Sequence, residues 1–256
     1  MEETFSAISN LGYDGAELMT LDPGKLNWSE VRDTAAKYGL CIPLVCTGEV
    51  FGQLGLSFTE HDENVRWQAV ERIKNIIDFA GFLGANINIG RVRGQYRHSI
   101  PKERTYQWAV EAFRAISGHA ALKGVKIALE TVTIMQINFI NTLSEAAQMV
   151  EDVGRDNFRL MMDVFHMNIE EKDLFAAIRD YQSYNIHVHL ADSNRRYPGH
   201  CGMDFEKVLR TFCEVGYDGV FCTEIFQLPD QEAAVKGAME YLAPIFERVY
   251  GRNRSR

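Results

Sequence analysis

Four ionisable residues constrain this chain most, because each lies at the C-terminal end of a short apolar segment with the character of a β-strand. They are separated by 33, 26 and 35 residues, and they are Glu130, Asp163, His189 and Glu224. An ionisable side chain at the end of an apolar strand is costly to bury unless something compensates it. Four of them indicate one shared cation, and spacings that fit a repeated strand–helix unit would bring them together at the mouth of a parallel barrel.

The alternation of predicted strands and helices along the chain supports a parallel barrel. The sequence predicts seven strands, over residues 15–19, 41–46, 85–90, 126–130, 159–163, 186–190 and 219–225. It predicts eight helices, over residues 1–11, 28–38, 64–83, 101–122, 143–153, 173–181, 205–215 and 231–249. Strands that alternate with helices indicate βαβ units and a parallel sheet. The predicted fold is therefore a (β/α)8 TIM barrel that lacks its first β-strand.

The missing first strand leaves two alternatives. The chain opens on a helix, and residues 1–10 contain no β-branched run that could form a strand. Either the chain is shortened at its N-terminus or the barrel is open. An open barrel exposes backbone donors and acceptors at two strand edges, which proteins normally cover. One symmetric interface can cover the same edge on both subunits, so we expect a homodimer or homotetramer.

Composition narrows the class of protein. The chain has 256 residues, of which 46% are hydrophobic, so we expect a single domain over residues 1–256. The net charge of -8 argues against a nucleic-acid partner, because phosphate binding needs clustered Lys and Arg. Basic residues cluster in the tail 252–256, which we interpret as a solvated end.

The cysteines and the lengths of the apolar segments bear on where in the cell the protein is located. Five cysteines without C-x-x-C spacing indicate neither a disulfide framework nor a thiolate zinc site. We expect no signal peptide and no membrane span, because the N-terminus lacks an apolar stretch and no run approaches 18 apolar residues. These features favour a cytoplasmic protein without a membrane partner.

The residues around Asp163 carry a resemblance. The stretch Asp-Val-Phe-His-Met-Asn-Ile-Glu-Glu at 163–171, followed by His187-Val-His189 and Asn-Arg-Arg-Tyr-Pro-Gly at 194–199, resembles the xylose-isomerase-like TIM-barrel superfamily. Within it the chain is most similar to sugar epimerases of the D-tagatose and D-psicose 3-epimerase type, from about residue 11 to the last helix.

This resemblance implies a cofactor and roles for several residues. It implies one divalent cation, first Mn²⁺ and otherwise Co²⁺ or Mg²⁺, and no nucleotide cofactor. The implied ligands are the residues Glu130, Asp163, His189 and Glu224. The resemblance also implies that the two glutamates are the catalytic acid/base pair and that His166 and Arg195 contact substrate oxygens.

Residue chemistry points the same way. Three carboxylates and one imidazole suit Mn²⁺ or Mg²⁺ better than thiolate-rich sets do. Such a cation can act as a Lewis acid at a ketone oxygen. Epimerisation beside a ketone then needs a base on each face of the carbon, a role that fits Glu130 and Glu224 on different strands. The sugar substrate would pass through an enediolate in this two-base scheme.

Three alternatives remain at this level. An inosose dehydratase or an aldose–ketose isomerase of the same fold would use the same four ligands. An endonuclease IV-like DNA-repair enzyme is a remote alternative, because it would need a multi-zinc cluster rich in histidine and a basic surface. This acidic chain has no histidine at the ends of the second or third predicted strands.

Departures from the family pattern leave the substrate open. Gln136 occupies a position where the sugar epimerases often carry a carboxylate, so it can form hydrogen bonds but cannot ionise. Arg91, Arg93 and Arg97 follow the predicted strand at 85–90. Guanidinium groups suit a carboxylate or phosphate, so Arg93 is a candidate substrate contact. The alternative is that these arginines form surface ion pairs, with a neutral keto-sugar as substrate.

Two further residues lie on the inner side of predicted strands. His187 shares a strand face with His189, and we predict a hydrogen-bonded interior histidine rather than a ligand. Glu17 either lines the barrel or pairs with a lysine.

Overall fold

Seven parallel strands form one sheet in the order of the sequence. The structure is a computed structural model that describes residues 1–251, so the basic tail 252–256 lies outside the described residues. The strands are β1 Leu18–Met19, β2 Leu44–Cys46, β3 Asn86–Ile89, β4 Ile127–Glu130, β5 Phe158–Asp163, β6 Asn185–Leu190 and β7 Phe221–Thr223. The predicted seven-stranded α/β barrel fold is confirmed.

Ten α-helices surround the sheet within residues 1–251. They are α1 Glu2–Asn10, α2 Trp28–Lys37, α3 Gly48–Leu54, α4 Glu63–Leu83, α5 Lys102–Leu122, α6 Leu143–Val153, α7 Val164–Glu170, α8 Leu174–Tyr181, α9 Phe205–Glu214 and α10 Gln231–Tyr250. The eight predicted helices are present. The short helices α3 and α7, which follow β2 and β5, were not predicted. Among the described helices, we find none with the length and apolar character that a membrane crossing requires.

Local signals explain where the helices begin. Helix α6 starts with a capping box, in which the Thr142 side chain accepts from the Glu145 backbone and the Glu145 carboxylate accepts from the Thr142 backbone. Asp163 caps α7, and Asp173 caps α8. Because Asp163 is also the last residue of β5, the chain passes from strand to helix without an intervening turn.

The alternation of side chains along the strands creates two apolar layers. Outward residues such as Val45, Ile127 and Val188 belong to the large core between sheet and helices. A small inner cluster consists of Leu44, Cys46, Ala128 and Met161. Side chains two residues apart share a strand face, so Glu130 follows Ala128 and Asp163 follows Met161 on the inner side. The polar site therefore lies directly above an apolar floor.

The sheet has two edges within the described part of the chain. Parallel pairing joins each strand to the next from β1 to β7, and no described pairing returns from β7 to β1. Residues 2–10 form a helix rather than a strand. Tyr13, just after α1, donates a hydrogen bond from its hydroxyl to the Val235 carbonyl of α10 at 2.8 Å, which ties the two ends of the described fold together.

Candidate metal centre and active site

The four strand-end residues converge. One side-chain ligand atom from each of Glu130, Asp163, His189 and Glu224 lies within 4.8 Å of those of the other three. Glu130 and Asp163 end β4 and β5, His189 lies in β6, and Glu224 follows β7 directly. The side chains of Asp163 and His189 are fully buried, whereas that of Glu224 is 36% exposed. The sequence therefore located the side chains that share this site, although their role as ligands stays a prediction.

The His189 ring shows that the group fits a cation. Its Nδ1 is buried and has no hydrogen-bond partner. The nearest carboxylate oxygens of Glu130, Asp163 and Glu224 lie 3.6, 3.6 and 3.4 Å away. A buried polar atom without a partner requires an explanation. Three carboxylates and one imidazole nitrogen around it form a donor set suited to a hard or borderline divalent cation.

The charged groups of the cluster shift one another's pKa values. Burial alone would lower the pKa of His189, but the carboxylates of Glu17, Asp163 and Glu130 raise it well above its usual value. Burial would raise the pKa of Asp163, but Arg195 and the neighbouring histidines hold it below its usual value. The pKa of Glu130 is likewise lowered by His189 against the effect of burial. The site thus favours positive charge at its centre, the property that attracts a divalent cation.

Asn88 orients Glu130. Its side-chain Nδ2 donates to Oε2 of Glu130 at 3.0 Å, while its Oδ1 accepts from the Thr47 backbone N–H at 2.9 Å. The second bond fixes which way the amide points. Asn88 was not predicted, although an amide between Ile87 and Ile89 of a buried strand was the signal that could have revealed it.

The N-terminus of α7 holds Asp163. Its Oδ1 accepts from the backbone N–H groups of Phe165 and His166, at 2.9 and 3.3 Å. The positive end of a helix stabilises a carboxylate. The same turn brings the His166 ring beside the site, where its Nδ1 accepts from the Thr133 backbone at 3.4 Å. The pKa of His166 is lowered, mainly because the ring is buried.

Arg195 reaches the site from the loop after β6. Its Nη1 contacts both Asp163 oxygens, at 2.9 and 2.7 Å, and its Nη2 contacts Oε2 of Glu224. Its guanidinium also lies 4.8 Å from the centre of the Phe165 ring. Arg195 has a φ of 61°, a left-handed conformation that is uncommon outside glycine. This backbone must be held by the loop around it.

Asp192 holds that loop and was not predicted. Its buried carboxylate accepts four backbone N–H groups, from Ser193, Gly199, Cys201 and Met203 at 2.8, 3.0, 2.7 and 3.3 Å. Its own backbone bonds to both Arg195 and Arg196. All of these partners lie within eleven residues after Asp192. The sequence signal that could have revealed its role was therefore a carboxylate followed by a loop that contains Gly and Pro.

A cavity of about 320 Å³ opens beside the cluster, and Glu130 and Glu224 line it. Its lining includes the predicted substrate contacts His166, Arg195 and Gln136, together with the unpredicted residues Met19 and Phe226. These positions are compatible with substrate contact, which stays a prediction.

The arginines after β3 differ from our expectation. The Arg93 side chain is fully buried and donates to the backbone carbonyls of Gly90, Glu130, Phe139 and Ile140, each at 2.8 Å. Because these bonds anchor backbone and the side chain is not among those that line the cavity, Arg93 does not lie where a substrate contact requires. Arg91 does line the cavity, but it pairs with Glu49 at 3.4 Å, and Arg97 pairs with Glu60.

Behind His189, Glu17 bridges two histidines. Its Oε2 lies 3.0 Å from Nε2 of His189, and its Oε1 lies 2.5 Å from Nε2 of His187. His187 is therefore the hydrogen-bonded interior histidine that the sequence predicts. Glu17 lines the barrel, and its partners are histidines rather than a lysine.

Comparison with known proteins adds to this geometry. The family model described as "Xylose isomerase-like TIM barrel" matches residues 5–245. The chain is 26% identical to an L-ribulose 3-epimerase of Mesorhizobium japonicum, over 93% of this chain and 80% of that protein. It is 28% identical to the 3-dehydro-D-guloside 4-epimerase of Escherichia coli, over 85% of this chain and 84% of that protein.

A solved structure supports the fold. The structure of an L-ribulose 3-epimerase superposes with a TM-score of 0.85, at 23% identity, and the match covers 100% of this chain and 93% of the other. The similarity therefore extends over all the elements that carry the site.

Proposed function

Because this chain belongs to the xylose isomerase-like TIM barrel family, we propose that it is a metal-dependent epimerase acting next to the carbonyl of a keto-sugar. The observation that carries the proposal is the convergence of Glu130, Asp163, His189 and Glu224, two of which, Glu130 and Glu224, line an open cavity. The names of the two relatives, a 3-epimerase and a 4-epimerase of sugars, support the reaction class.

The four converging side chains would hold one divalent cation, for which Mn²⁺ is our first choice. When bound, the cation supplies Lewis acidity at the carbonyl oxygen and so acidifies the neighbouring C–H. The remaining chemistry is proton transfer, and it belongs to the two glutamates. No redox or nucleotide cofactor is required by this scheme.

Glu130 and Glu224 can serve the two faces of the reacting carbon, because they project from β4 and from the end of β7. One carboxylate removes the proton and the other returns a proton to the opposite face. Asn88 holds Glu130 and Arg195 holds Glu224. Glu224 exchanges its proton with water more readily, because its side chain is 36% exposed against 7% for Glu130.

His166, Gln136 and Arg195 would position the sugar. Its buried surroundings keep His166 neutral at physiological pH, since they lower its pKa, so the ring can hydrogen-bond a hydroxyl. Gln136 offers one donor and one acceptor group at the mouth. All three side chains line the same cavity.

The arginine contacts favour a neutral substrate. A phosphate or carboxylate group on the substrate needs a guanidinium that is available to bind it. Arg91 is paired with Glu49, and the Arg93 guanidinium donates its hydrogen bonds to backbone carbonyls. We therefore propose a neutral keto-sugar rather than a phosphorylated or acidic one.

A second candidate places the inverted carbon on the other side of the ketone. The relative from Escherichia coli is named a 3-dehydro-D-guloside 4-epimerase. The alignment with it covers 85% of this chain and 84% of that protein. Both reactions would use the same two glutamates.

A substrate panel with metal analysis tests the proposal. The protein is purified with Mn²⁺, its metal content is measured, and L-ribulose, D-psicose, D-tagatose and a 3-keto-glycoside are followed by NMR. We expect one Mn²⁺ per chain, inversion beside the ketone of at least one sugar, and loss of turnover in EDTA that Mn²⁺ reverses.

Two results would contradict it. Full turnover in excess EDTA would exclude the metal-dependent scheme. Dehydration or aldose formation in place of an epimer would assign the chain to the dehydratase or isomerase alternatives instead.

A further inference from the structure

The proposed function leaves one buried carboxylate unused. Glu17 lies just before β1, and its side chain is 9% exposed. It contacts His189 on the ring nitrogen opposite to the one that faces Glu130, Asp163 and Glu224. His187, its other partner, is stacked edge to face against His189 with ring centres 5.3 Å apart.

These contacts determine which nitrogen of His189 carries a proton. A histidine that binds a cation must be neutral, a neutral imidazole has one N–H donor and one acceptor nitrogen, and an ionised carboxylate can only accept. The 3.0 Å contact with Glu17 therefore places the proton on Nε2 of His189. In that form the Nδ1 lone pair is available to a cation held among the three carboxylates, whose oxygens lie 3.4–3.6 Å from Nδ1.

We propose that Glu17 is a positioning residue that fixes His189 as an Nδ1 ligand of the divalent cation. The inference rests on the proposed metal centre. Hydrogen-bond partners behind a ligating histidine fix its tautomer and ring orientation, and they raise its basicity. Glu17 would thus act on the metal through His189 without touching the substrate.

The same atoms could in principle form a second metal site, because Glu17, His187 and His189 also cluster within 4.8 Å. Their distances argue against it. The 3.0 Å separation from His189 is a hydrogen-bond length, and the 2.5 Å separation from His187 is shorter still. Two ligands bound to one ion at about 2.0–2.2 Å each lie farther apart than 2.5 Å at tetrahedral or octahedral angles.

A neighbouring thiol completes the surroundings of Glu17. The Cys46 thiol donates to Oε2 of Glu17 at 3.3 Å, so that oxygen receives hydrogen bonds from both Cys46 and His189. With His187 on the other oxygen, the carboxylate is held from three directions. Its orientation toward His189 is therefore fixed by its surroundings.

Titration of the metal-free protein with Mn²⁺ alone, followed by EPR, tests the proposal without measuring turnover. We expect Glu17→Ala to weaken Mn²⁺ binding about 10–100-fold. Glu17→Gln should restore part of the affinity, because its carbonyl oxygen can still accept from one imidazole. Pulsed EPR should show an altered ¹⁴N coupling from His189 in both variants.

Two comparison variants make the result decisive. Glu60→Gln changes a carboxylate paired with Arg97 outside the cluster and should bind Mn²⁺ as the wild type does. Asp163→Asn removes a proposed ligand and should abolish tight binding. Circular dichroism of each metal-free variant identifies any that fail to fold, and Glu17→Gln, which preserves the shape of the side chain, then carries the test.

The outcomes separate the two proposals. Wild-type affinity and an unchanged ¹⁴N coupling in folded Glu17→Gln, with binding lost in Asp163→Asn, would overturn the role of Glu17 alone. Two Mn²⁺ per wild-type chain and one in Glu17→Ala would also overturn it, because Glu17 would then be a ligand itself. Unchanged binding in Asp163→Asn would overturn the metal centre, and with it this inference.

Discussion

Two glutamates with the same side chain occupy different surroundings in this site. Glu130 accepts from the Asn88 amide and its side chain is 7% exposed, whereas Glu224 contacts the Arg195 guanidinium and its side chain is 36% exposed. Identical chemical groups can therefore take different parts in one proton transfer. In the proposed scheme, the more exposed Glu224 would be the carboxylate whose proton equilibrates with solvent.

Replacement of either glutamate by glutamine tests the proposed proton-transfer roles of Glu130 and Glu224 separately. We expect Glu130→Gln and Glu224→Gln each to lower epimerisation by at least about 10²–10⁴-fold, the usual contribution of a positioned acid or base. At least one variant should still exchange the substrate C–H proton in D₂O, because a single base suffices for exchange. NMR of the substrate in D₂O measures both rates, and wild-type turnover in either variant would exclude the two-base scheme.

The sequence located the four converging residues because strand periodicity and strand ends are local properties. It could not identify the partners of Glu17 in the same way, because His187 and His189 are 170 and 172 residues away. The prediction for Arg93 differed from the structure for a related reason. Proximity to the barrel mouth could be inferred from the sequence, but the carbonyls of Phe139 and Ile140 that receive its hydrogen bonds could not.

At the scale of elements, the loop after β6 positions Arg195. The loop has no regular structure between residues 191 and 204, and the Asp192 carboxylate organises its backbone. This arrangement lets Arg195 adopt its left-handed conformation above Asp163. The buried Asp192 carboxylate therefore determines, through this loop, where Arg195 lies in the cavity.

Asp192→Ala tests that connection. The change leaves four backbone N–H groups without their acceptor, and each buried one that stays unsatisfied costs about 1–3 kcal/mol. We expect kcat/KM to fall at least about tenfold, since a small misplacement of a positioning group is costly. Mn²⁺ affinity should stay within a few-fold of wild type, because the proposed ligands are intact.

Asp173→Ala is the matched control. Asp173 accepts two backbone N–H groups at the start of α8, at 2.9 and 3.0 Å, and is not among the residues that line the cavity. Its loss should cost about 1 kcal/mol of stability and leave kcat/KM unchanged. Equal losses of kcat/KM in both variants would show that the effect of Asp192 is one of general stability.

Helices and strands were predictable to different degrees. The long helices α4 and α5 show clear apolar periodicity, whereas β1 is reduced from five predicted residues to Leu18–Met19 with one isolated bridge at Gly15. Helix α3 was missed because it begins at Gly48 and contains Gly52, and glycine disfavours helices. Helix α7 was missed because it begins directly at the end of a strand.

At the scale of the whole molecule, the two edges of the sheet are the dominant feature. Strands β1 and β7 each pair on one side within the described residues. Such edges are normally covered by other chain or by a partner subunit. The expectation of a single domain with a symmetric partner is unchanged by the structure and stays a prediction.

Light scattering coupled to size-exclusion chromatography measures the assembly. We expect a dimer or tetramer at micromolar concentration, because one isologous interface can protect the same edge on both subunits. Dilution should lower the mass in steps of whole subunits. A stable monomer over the same range would contradict this prediction.

The contact between Glu17 and His189 joins segments 172 residues apart. Closing so long a loop costs chain entropy, and non-local contacts of this kind form slowly when a protein folds. Glu224, the last of the four converging residues, follows the final strand. During refolding, helices should therefore return before the cluster is complete, and recovery of Mn²⁺ binding should lag behind recovery of helical signal.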